Sequence, residues 1–239
     1  MRDAEVVQSV ERGINQSSDG GSIPAPPLHF LAIEKRKATA LIIEHHYLHC
    51  KCPISWAWGI EVGGKILGVL TVGKPCSWSV TCGVVGEKYG DMKNPAARSK
   101  NVYELNRLWV SDSLPRNTES QFIGWCRKQL RKIQPNIILI SYADGARGHV
   151  GIVYQATNWI YTGTSAAFKD ITFPGYSDCR SVPLAKRGAK VGNKRAWARD
   201  PTAIRTKRTP KHRYVWFANK ADESLLAWDQ APYPKQVAA

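Results

Sequence analysis

A group of polar residues able to transfer protons follows an apolar segment near the middle of the chain. Residues 136–140 read Asn-Ile-Ile-Leu-Ile, a run typical of a central β-strand. Tyr142, Asp144 and His149 come directly after it in a glycine-framed segment. Ligands of open α/β sheets bind just beyond the carboxyl ends of the strands, so we expect an active site here.

The Asp144 carboxylate has two roles open to it. If it pairs with the imidazole of His149, five residues further on, it orients that ring for proton transfer. If it instead accepts hydrogen bonds from its own loop, it is a structural aspartate of a common kind. We predict the first role, with Tyr142 placed to stack on a planar substrate.

A second donor-rich segment, residues 45–52, reads His-His-Tyr-Leu-His-Cys-Lys-Cys. We expect His46 and Tyr47 to face the substrate as proton-handling groups. Two alternatives remain: a divalent metal, such as iron, held by His45, His46 or His49, and a plain helix end where the dipole favours histidine.

The segment 101–111 alternates like a strand but carries polar residues in its middle, where a purely structural strand would be apolar. Asn106 and Arg107 are therefore predicted to hold a group donor or a developing oxyanion. Ser120 lies in the first turn of the following helix, beside Arg116 and Asn117, where either an anion or a simple cap is expected. Tyr154 is either a core residue or part of this donor site.

These residues need a scaffold, and the hydrophobic periodicity predicts an α/β fold with a mixed sheet and flanking helices. Asn117 or Thr118 is expected to cap the helix that follows strand 101–111, and its inner stripe is predicted as Phe122, Ile123, Cys126, Leu130 and Ile133. The expected order is strand 28–33, helix 34–48, hairpin 56–62 and 65–72, loop 73–100, strand 101–111, helix, strand 136–142, helix 150–157 and a strand through 159–161.

Positive charge is concentrated late in the chain. The formal net charge is +15, and residues 180–213 contain twelve cations and one anion, with Trp197 among them and Tyr214, Trp216 and Phe217 just after them. Cations release counterions from phosphates and aromatic rings stack on bases, so we predict a nucleic-acid-binding segment; a solvated basic surface or a weak membrane patch is the alternative. The residues predicted to contact DNA are Lys194, Arg195, Arg205, Lys207, Arg208, Lys211 and Arg213.

Composition narrows the class of protein further. There is no apolar run of membrane-spanning length and no signal peptide, so no membrane partner is expected. The six scattered cysteines are expected to be reduced thiols in a cytoplasm. We predict a flexible arm at 1–27, a catalytic core at 28–165 and a basic, aromatic-containing DNA-binding extension at 166–239. The sequence gives no indication of the oligomeric state.

Six short segments, taken in order, resemble the Mom family of phage DNA-modification proteins over essentially the whole chain. They are 46–47 (His-Tyr), 104–109 (Glu-Leu-Asn-Arg-Leu-Trp), 116–120 (Arg-Asn-Thr-Glu-Ser), 141–144 (Ser-Tyr-Ala-Asp), 148–151 (Gly-His-Val-Gly) and 154–159 (Tyr-Gln-Ala-Thr-Asn-Trp). The resemblance implies a fold similar to the Gcn5-related N-acetyltransferases. It also implies conversion of adenine in double-stranded DNA to N6-carbamoylmethyladenine, in the cytoplasm of a bacterial host, which protects phage DNA from restriction.

The sequence leaves the identity of the group donor open. Acyltransferases of this fold carry a Gln/Arg-x-x-Gly-x-Gly/Ala loop for the pyrophosphate of acyl-CoA, and residues 116–120 replace it here. The candidates are acyl-CoA and a glycyl donor such as glycyl-tRNA, which would make tRNA a partner. Two other classes remain: an acetyltransferase acting on another substrate, and a non-catalytic DNA-binding module.

Overall fold

The computed structural model describes residues 27–166, 169–175, 201–207 and 209–235. A seven-stranded sheet dominates, in the order β1-β2-β3-β4-β5-β9-β6, and a separate two-stranded sheet pairs β7 with β8. The strands are β1 His29–Ala32, β2 Trp56–Val62, β3 Lys65–Gly73, β4 Val102–Val110, β5 Ile138–Asp144, β6 Ile160–Thr164, β7 Lys169–Thr172, β8 Ile204–Lys207 and β9 Lys211–Phe217. The helices are α1 Lys35–His45, α2 Trp78–Gly83, α3 Thr118–Ile133 and α4 Ile152–Ala156.

The chain divides into two compact units. Unit 1 contains the described residues of 27–142, 151–163 and 213–234, and unit 2 contains those of 143–150, 164–212 and 235. Unit 2 has a small apolar core in which Phe173 and Ala203 are buried and Ile171 packs against them. The predicted α/β fold, with a mixed sheet and flanking helices, is confirmed.

The β2–β3 hairpin forms as predicted because residues 63 and 64 are both glycine. Their φ angles are +56° and +79°, a combination that suits a tight turn between twisted strands and that residues with a Cβ rarely adopt. The hairpin supplies much of the core of unit 1, since Ile60, Val69 and Val72 are fully buried.

Helix α3 buries four of the five residues predicted for its inner stripe: Phe122, Ile123, Cys126 and Leu130. The fifth assignment was wrong, because Ile133 is the last residue of the helix and is 51% exposed. Capping by Asn117 or Thr118 was also wrong. Asn117 precedes the helix in the left-handed conformation without a side-chain cap, and the Thr118 hydroxyl donates to the carbonyl of Pro115.

Strand β9 is the main element that the sequence analysis missed. It lies between β5 and β6 in the central sheet, and Tyr214, Val215, Trp216 and Phe217 are buried. Three short helical segments, α2 and the 3-10 helices Tyr89–Lys93 and Arg98–Asn101, occupy the predicted loop 73–100. Among the described residues, no helix is long and apolar enough to cross a membrane.

Candidate active site

The ladder between β4 and β5 ends early, although both strands continue. The two strands are parallel and pair only from Val102 opposite Ile138 to Glu104 opposite Ile140. At the next position the carbonyl of Leu105 accepts a hydrogen bond from the Ser141 hydroxyl at 2.9 Å. A side chain thus satisfies a backbone group that the ladder leaves unpaired, and we call the unpaired continuation of the two strands beyond Glu104 the β4–β5 opening.

A buried pair of hydroxyl groups supports this opening. Ser141 Oγ lies 2.8 Å from the hydroxyl of Tyr154, and both residues are buried. Because Ser141 gives its only proton to the carbonyl of Leu105, Tyr154 must donate to Ser141. Burial raises the pKa of Tyr154 to about 12, and the nearby Tyr47 and Glu104 add to the rise. Tyr154 therefore stays protonated at neutral pH and is a donor.

Glu104 lies at the end of the β4–β5 ladder, near two phenols. Burial raises the pKa of Tyr142 to about 12, the Glu104 carboxylate raises it further, and Arg213 opposes the rise. The carboxylate of Glu104 influences Tyr142 and Tyr154 alike. The polar residues in the middle of this strand were predicted to belong to a site, but no role was assigned to Glu104. The signal that could have found it was a carboxylate in the middle of a strand that continues into the core.

Asn106 occupies a β-bulge on the other edge of β4. Thr71 pairs with Arg107 and Val72 pairs with Leu105, so Asn106 is an extra residue that faces no partner in the register. The Thr71 hydroxyl donates to Asn106 Oδ1 at 2.7 Å, and Asn106 Nδ2 donates to the carbonyl of Pro53 at 2.6 Å. The side chain of Asn106 is therefore fixed at both ends and anchors the bulge.

Arg107 is held by sulfur and backbone contacts. Its Nη1 donates to the carbonyl of Asn106 at 2.5 Å, and its Nη2 donates to Cys50 Sγ at 3.3 Å. Its Nε is buried and has no hydrogen-bond partner within the described part of the chain. Such a buried N–H is a donor that a ligand can satisfy, and the role of Arg107 in holding a donor or an oxyanion stays a prediction.

His46 and Tyr47 follow α1 and stack on each other, with their ring centroids 4.4 Å apart. His46 is 6% exposed and Tyr47 38% exposed. The backbone N–H of Leu48 donates to Nδ1 of His46 at 3.1 Å, so the neutral ring carries its proton on Nε2. Neutral His46 can therefore donate a proton from Nε2 but cannot accept one at Nδ1 without losing this bond.

In unit 2, the Asp144 carboxylate makes two contacts. Oδ2 lies 3.1 Å from Lys211 Nζ, and Oδ1 accepts from the backbone N–H of Ala146 at 3.1 Å. The backbone N–H of His149 donates to the carbonyl of Asp144 at 3.2 Å and closes the loop. The aspartate thus serves its own loop and an ion pair, while its orientation of the His149 imidazole stays a prediction.

Similarity to known proteins extends over most of the chain. A model of the Mom protein family matches residues 27–235. The chain belongs to the Mom protein family. The methylcarbamoylase mom of Escherichia phage Mu is 26% identical over 208 residues, which cover 85% of this chain and 78% of the relative.

Solved acetyltransferase structures are also similar to this member of the Mom family. An N-acetyltransferase from Staphylococcus aureus Mu50 is 10% identical with a TM-score of 0.44, covering 80% of this chain and 99% of that chain. A polyamine N-acetyltransferase from Drosophila melanogaster is 9% identical with a TM-score of 0.42, at the same coverage. No functional conclusion follows from these two similarities.

The residues that this Mom-family chain was predicted to use for binding DNA fall into three groups. Arg205 and Lys207 are exposed on β8, where side chains can reach a phosphate. Lys211 is paired with Asp144, and Arg213 donates to the hydroxyl and the carbonyl of Thr162 and stacks on Trp228 at 3.7 Å. Lys194, Arg195 and Arg208 lie outside the described residues, and their DNA-binding role stays a prediction.

The three histidines near α1 have separate surroundings. His45 stacks on Trp109 with ring centroids 4.2 Å apart, and His49 Nδ1 contacts the carbonyl of Ile43 at 2.8 Å. Within the described residues, no group of three or more His, Cys, Asp or Glu side chains is arranged to hold a metal ion. The described donor set therefore does not fit the predicted metal site.

The pyrophosphate loop of an acyl-CoA site does not fit this Mom-family chain either. Residues 111–118 contain no glycine, and the left-handed position before α3 is Asn117, with φ +66°. Ser120 is half-buried in the first turn of α3, so the choice between an anion site and a structural position stays open at Ser120.

Proposed function

We propose that this chain is a transferase that converts adenine in double-stranded DNA to N6-carbamoylmethyladenine in the cytoplasm of a bacterial host, and thereby protects phage DNA from restriction. The similarity to the phage Mu methylcarbamoylase over 85% of the chain carries this proposal. The β4–β5 opening, with its phenols and its carboxylate, supports it because it offers a substrate both stacking surface and proton-transfer groups.

The substrate must leave the duplex to react. The exocyclic amine of adenine is paired inside double-stranded DNA, so the enzyme flips the base out at a cost of about a few kcal/mol. We assign the stacking contact to Tyr142, which is half-buried and keeps its phenol protonated because its pKa is about 12. The cations of β8, Arg205 and Lys207, hold the phosphate backbone.

The proposed reaction needs a group that donates a proton and a group that accepts one. Tyr142, with a pKa of about 12, keeps its proton at neutral pH and is the donor to the substrate, whereas Tyr154 gives its proton to Ser141 and supports the site from within the core. His46 keeps its predicted place among the proton-handling groups. Glu104 is the carboxylate beside these phenols, and we assign to it the removal of the proton from the attacking amine. Tyr47, Asp144 and His149 keep their predicted roles in proton transfer.

The product constrains the donor. The group added to N6 is CH2–C(=O)NH2, whereas direct acetyl transfer would leave a carbonyl carbon on the nitrogen. We propose an activated glycyl ester, such as glycyl-tRNA. N6 attacks the glycyl carbonyl and the ester oxygen leaves with a proton. The free glycyl amine then attacks C6, and the original N6 departs as the amide nitrogen. The net addition is C2H3NO, and every atom of the product is accounted for.

Asn106 and Arg107 hold the donor in this scheme. The carbonyl oxygen of the glycyl group becomes negative during attack, and the unpartnered buried Nε–H of Arg107 is suited to stabilise it. The bulge at Asn106 fixes the backbone that carries Arg107. We also assign Ser120 to the donor, through an anionic group bound at the first turn of α3.

Expression in bacteria followed by nucleoside mass spectrometry tests the function. Wild-type protein should yield a deoxyadenosine heavier by C2H3NO. Asp144→Asn keeps the hydrogen bond to Ala146 but removes the carboxylate charge, so the protein should stay folded and yield none. Soluble, folded wild-type protein that gives no modified nucleoside, even with a supply of glycyl-tRNA, would contradict the proposal.

Isotope labelling tests the donor chemistry separately. Adenine labelled with 15N at N6 should give a product whose label is in the terminal amide, because the original N6 leaves C6. A label retained on the nitrogen bonded to C6 would exclude the rearrangement while leaving the DNA-modifying function intact.

A further inference from the structure

Two aromatic side chains protrude from the connection between β3 and β4. Trp78 is 57% exposed and Tyr89 is 65% exposed, more than the other large apolar side chains of the described residues. They contact each other edge to face, with ring centroids 5.5 Å apart and an interplanar angle of 62°. We call them the Trp78–Tyr89 pair. Aromatic rings exposed side by side offer a flat apolar surface with a polar edge, which is a feature of binding sites.

The pair stands on a well-anchored base. Trp78 begins α2, in which Thr81 and Cys82 are buried, and Tyr89 begins the 3-10 helix Tyr89–Lys93. The carboxylate of Glu87 accepts hydrogen bonds from the backbone N–H groups of Arg98 and Ser99, at 2.7 and 3.0 Å, and ties the connection together. The two rings are therefore presented by ordered backbone, which reduces the entropy that a ligand contact would cost.

The surroundings of the pair are positive. Residues 74–100 contain five cations and two anions. Both carboxylates are engaged by backbone N–H groups, Glu87 as described and Asp91 with that of Lys88 at 2.6 Å. Lys88, Lys93, Arg98 and Lys100 are exposed. Aromatic faces among exposed cations match a nucleic acid strand, because bases stack on the rings while phosphates approach the cations.

We propose that the Trp78–Tyr89 pair is a stacking platform for an unpaired base of DNA, with Lys93 and Lys100 contacting the adjacent phosphates. The inference rests on the proposed function in one respect, because flipping adenine from a duplex is what creates an unpaired base. None of the residues of this platform is among those that the sequence predicted to contact DNA.

Equilibrium binding to two synthetic duplexes tests the platform. One duplex is fully paired, and the other carries a single adenine opposite an abasic site. The variants are Trp78→Ala, Tyr89→Ala and the conservative Trp78→Phe, with Ile133→Ala as a matched exposed apolar control. Each alanine variant should weaken binding to the unpaired duplex about tenfold, within the range for losing one stacked base, whereas Trp78→Phe and Ile133→Ala should bind nearly as wild type.

Salt dependence separates stacking from charge. Loss of a ring leaves every phosphate neutralised as before, so the slope of log Kd against log salt should stay unchanged in Trp78→Ala and Tyr89→Ala. The double change Lys93→Ala and Lys100→Ala should instead flatten that slope. Equal losses on both duplexes, or unchanged affinity for both, would overturn the platform.

Two further outcomes would also refute the assignment. Weakened binding to tRNA with unchanged binding to DNA would make the pair an RNA surface. Unchanged binding to both nucleic acids, with reduced nucleoside modification in cells, would make it a protein-binding surface. Failure of wild-type protein to modify DNA would refute the proposed function but not the platform, provided that the alanine variants still lose their preference for the unpaired duplex.

Discussion

Removal of the Ser141 hydroxyl should destabilise the protein far more than removal of its phenolic partner. Ser141→Ala leaves two buried groups without a partner, the carbonyl of Leu105 and the O–H of Tyr154. Each unsatisfied buried group costs about 1–3 kcal/mol, so we expect a loss of about 2–6 kcal/mol in the free energy of unfolding. Tyr154→Phe removes one hydrogen bond together with the group that made it, and should cost about 1 kcal/mol.

The double variant makes this reasoning refutable. Once Ser141 is alanine, the O–H of Tyr154 is an orphan, so adding Tyr154→Phe should cost nothing or restore about 1 kcal/mol. Urea denaturation followed by tryptophan fluorescence gives all four free energies of unfolding. If the double variant loses the sum of the two single losses, the hydroxyls are not coupled, and the proposed direction of donation from Tyr154 to Ser141 is wrong.

Three further predictions concern stability and binding. Gly73→Ala should lower the melting temperature strongly, because the new Cβ would lie 1.9 Å from a backbone carbonyl oxygen, whereas Gly90→Ala, with open space, should not. The free energy of unfolding should fall as the pH rises from 10 to 12, because Tyr154 has a pKa of about 12 in the folded state and the same tyrosine loses its proton at a lower pH in the unfolded chain. Tyr154→Phe should make this fall shallower when stability is measured by urea denaturation, and an unchanged slope would contradict the prediction. Arg205→Ala with Lys207→Ala should reduce the salt slope of DNA binding by roughly 0.9 for each phosphate that the two cations neutralise, and a slope equal to that of wild type would remove β8 from the interface.

The sequence predicted those elements whose signals are local. The hairpin could be predicted because Gly63 and Gly64 separate two apolar runs, and α3 because its apolar stripe has helical spacing. Strand β9 was missed because residues 211–217 alternate poorly and begin with three basic or imidazole side chains, which read as part of the charged segment. Its insertion between β5 and β6 depends on non-local pairing, which no local pattern reveals.

The candidate site likewise combines features with a local sequence signal and features that depend on distant parts of the chain. A polar cluster after strand 136–142 was predictable, since carboxylates and phenols seldom follow an apolar strand without a reason. The strand alternation placed Asn106 and Arg107 on opposite faces, but the bulge shifts the register between Leu105 and Arg107. The role that we assign to Glu104 depends on where the ladder to β5 ends, which the sequence does not show. The ion pair of Asp144 could not be predicted either, because its partner, Lys211, lies 67 positions later in the chain.

The two departures from regular pairing fall on adjacent residues of β4, between Glu104 and Arg107, to which we assign roles in the proposed reaction. At Leu105 the strand is released from β5, and at Asn106 it is released from β3. The Ser141 hydroxyl replaces a ladder hydrogen bond at the carbonyl of Leu105, and on the other edge the Thr71 hydroxyl holds the side chain of Asn106. A central strand normally has both edges occupied, so a ligand cannot reach its backbone. Here β4 can bring Glu104 and Arg107 to a substrate from within the sheet, held by buried hydrogen bonds rather than by a flexible loop.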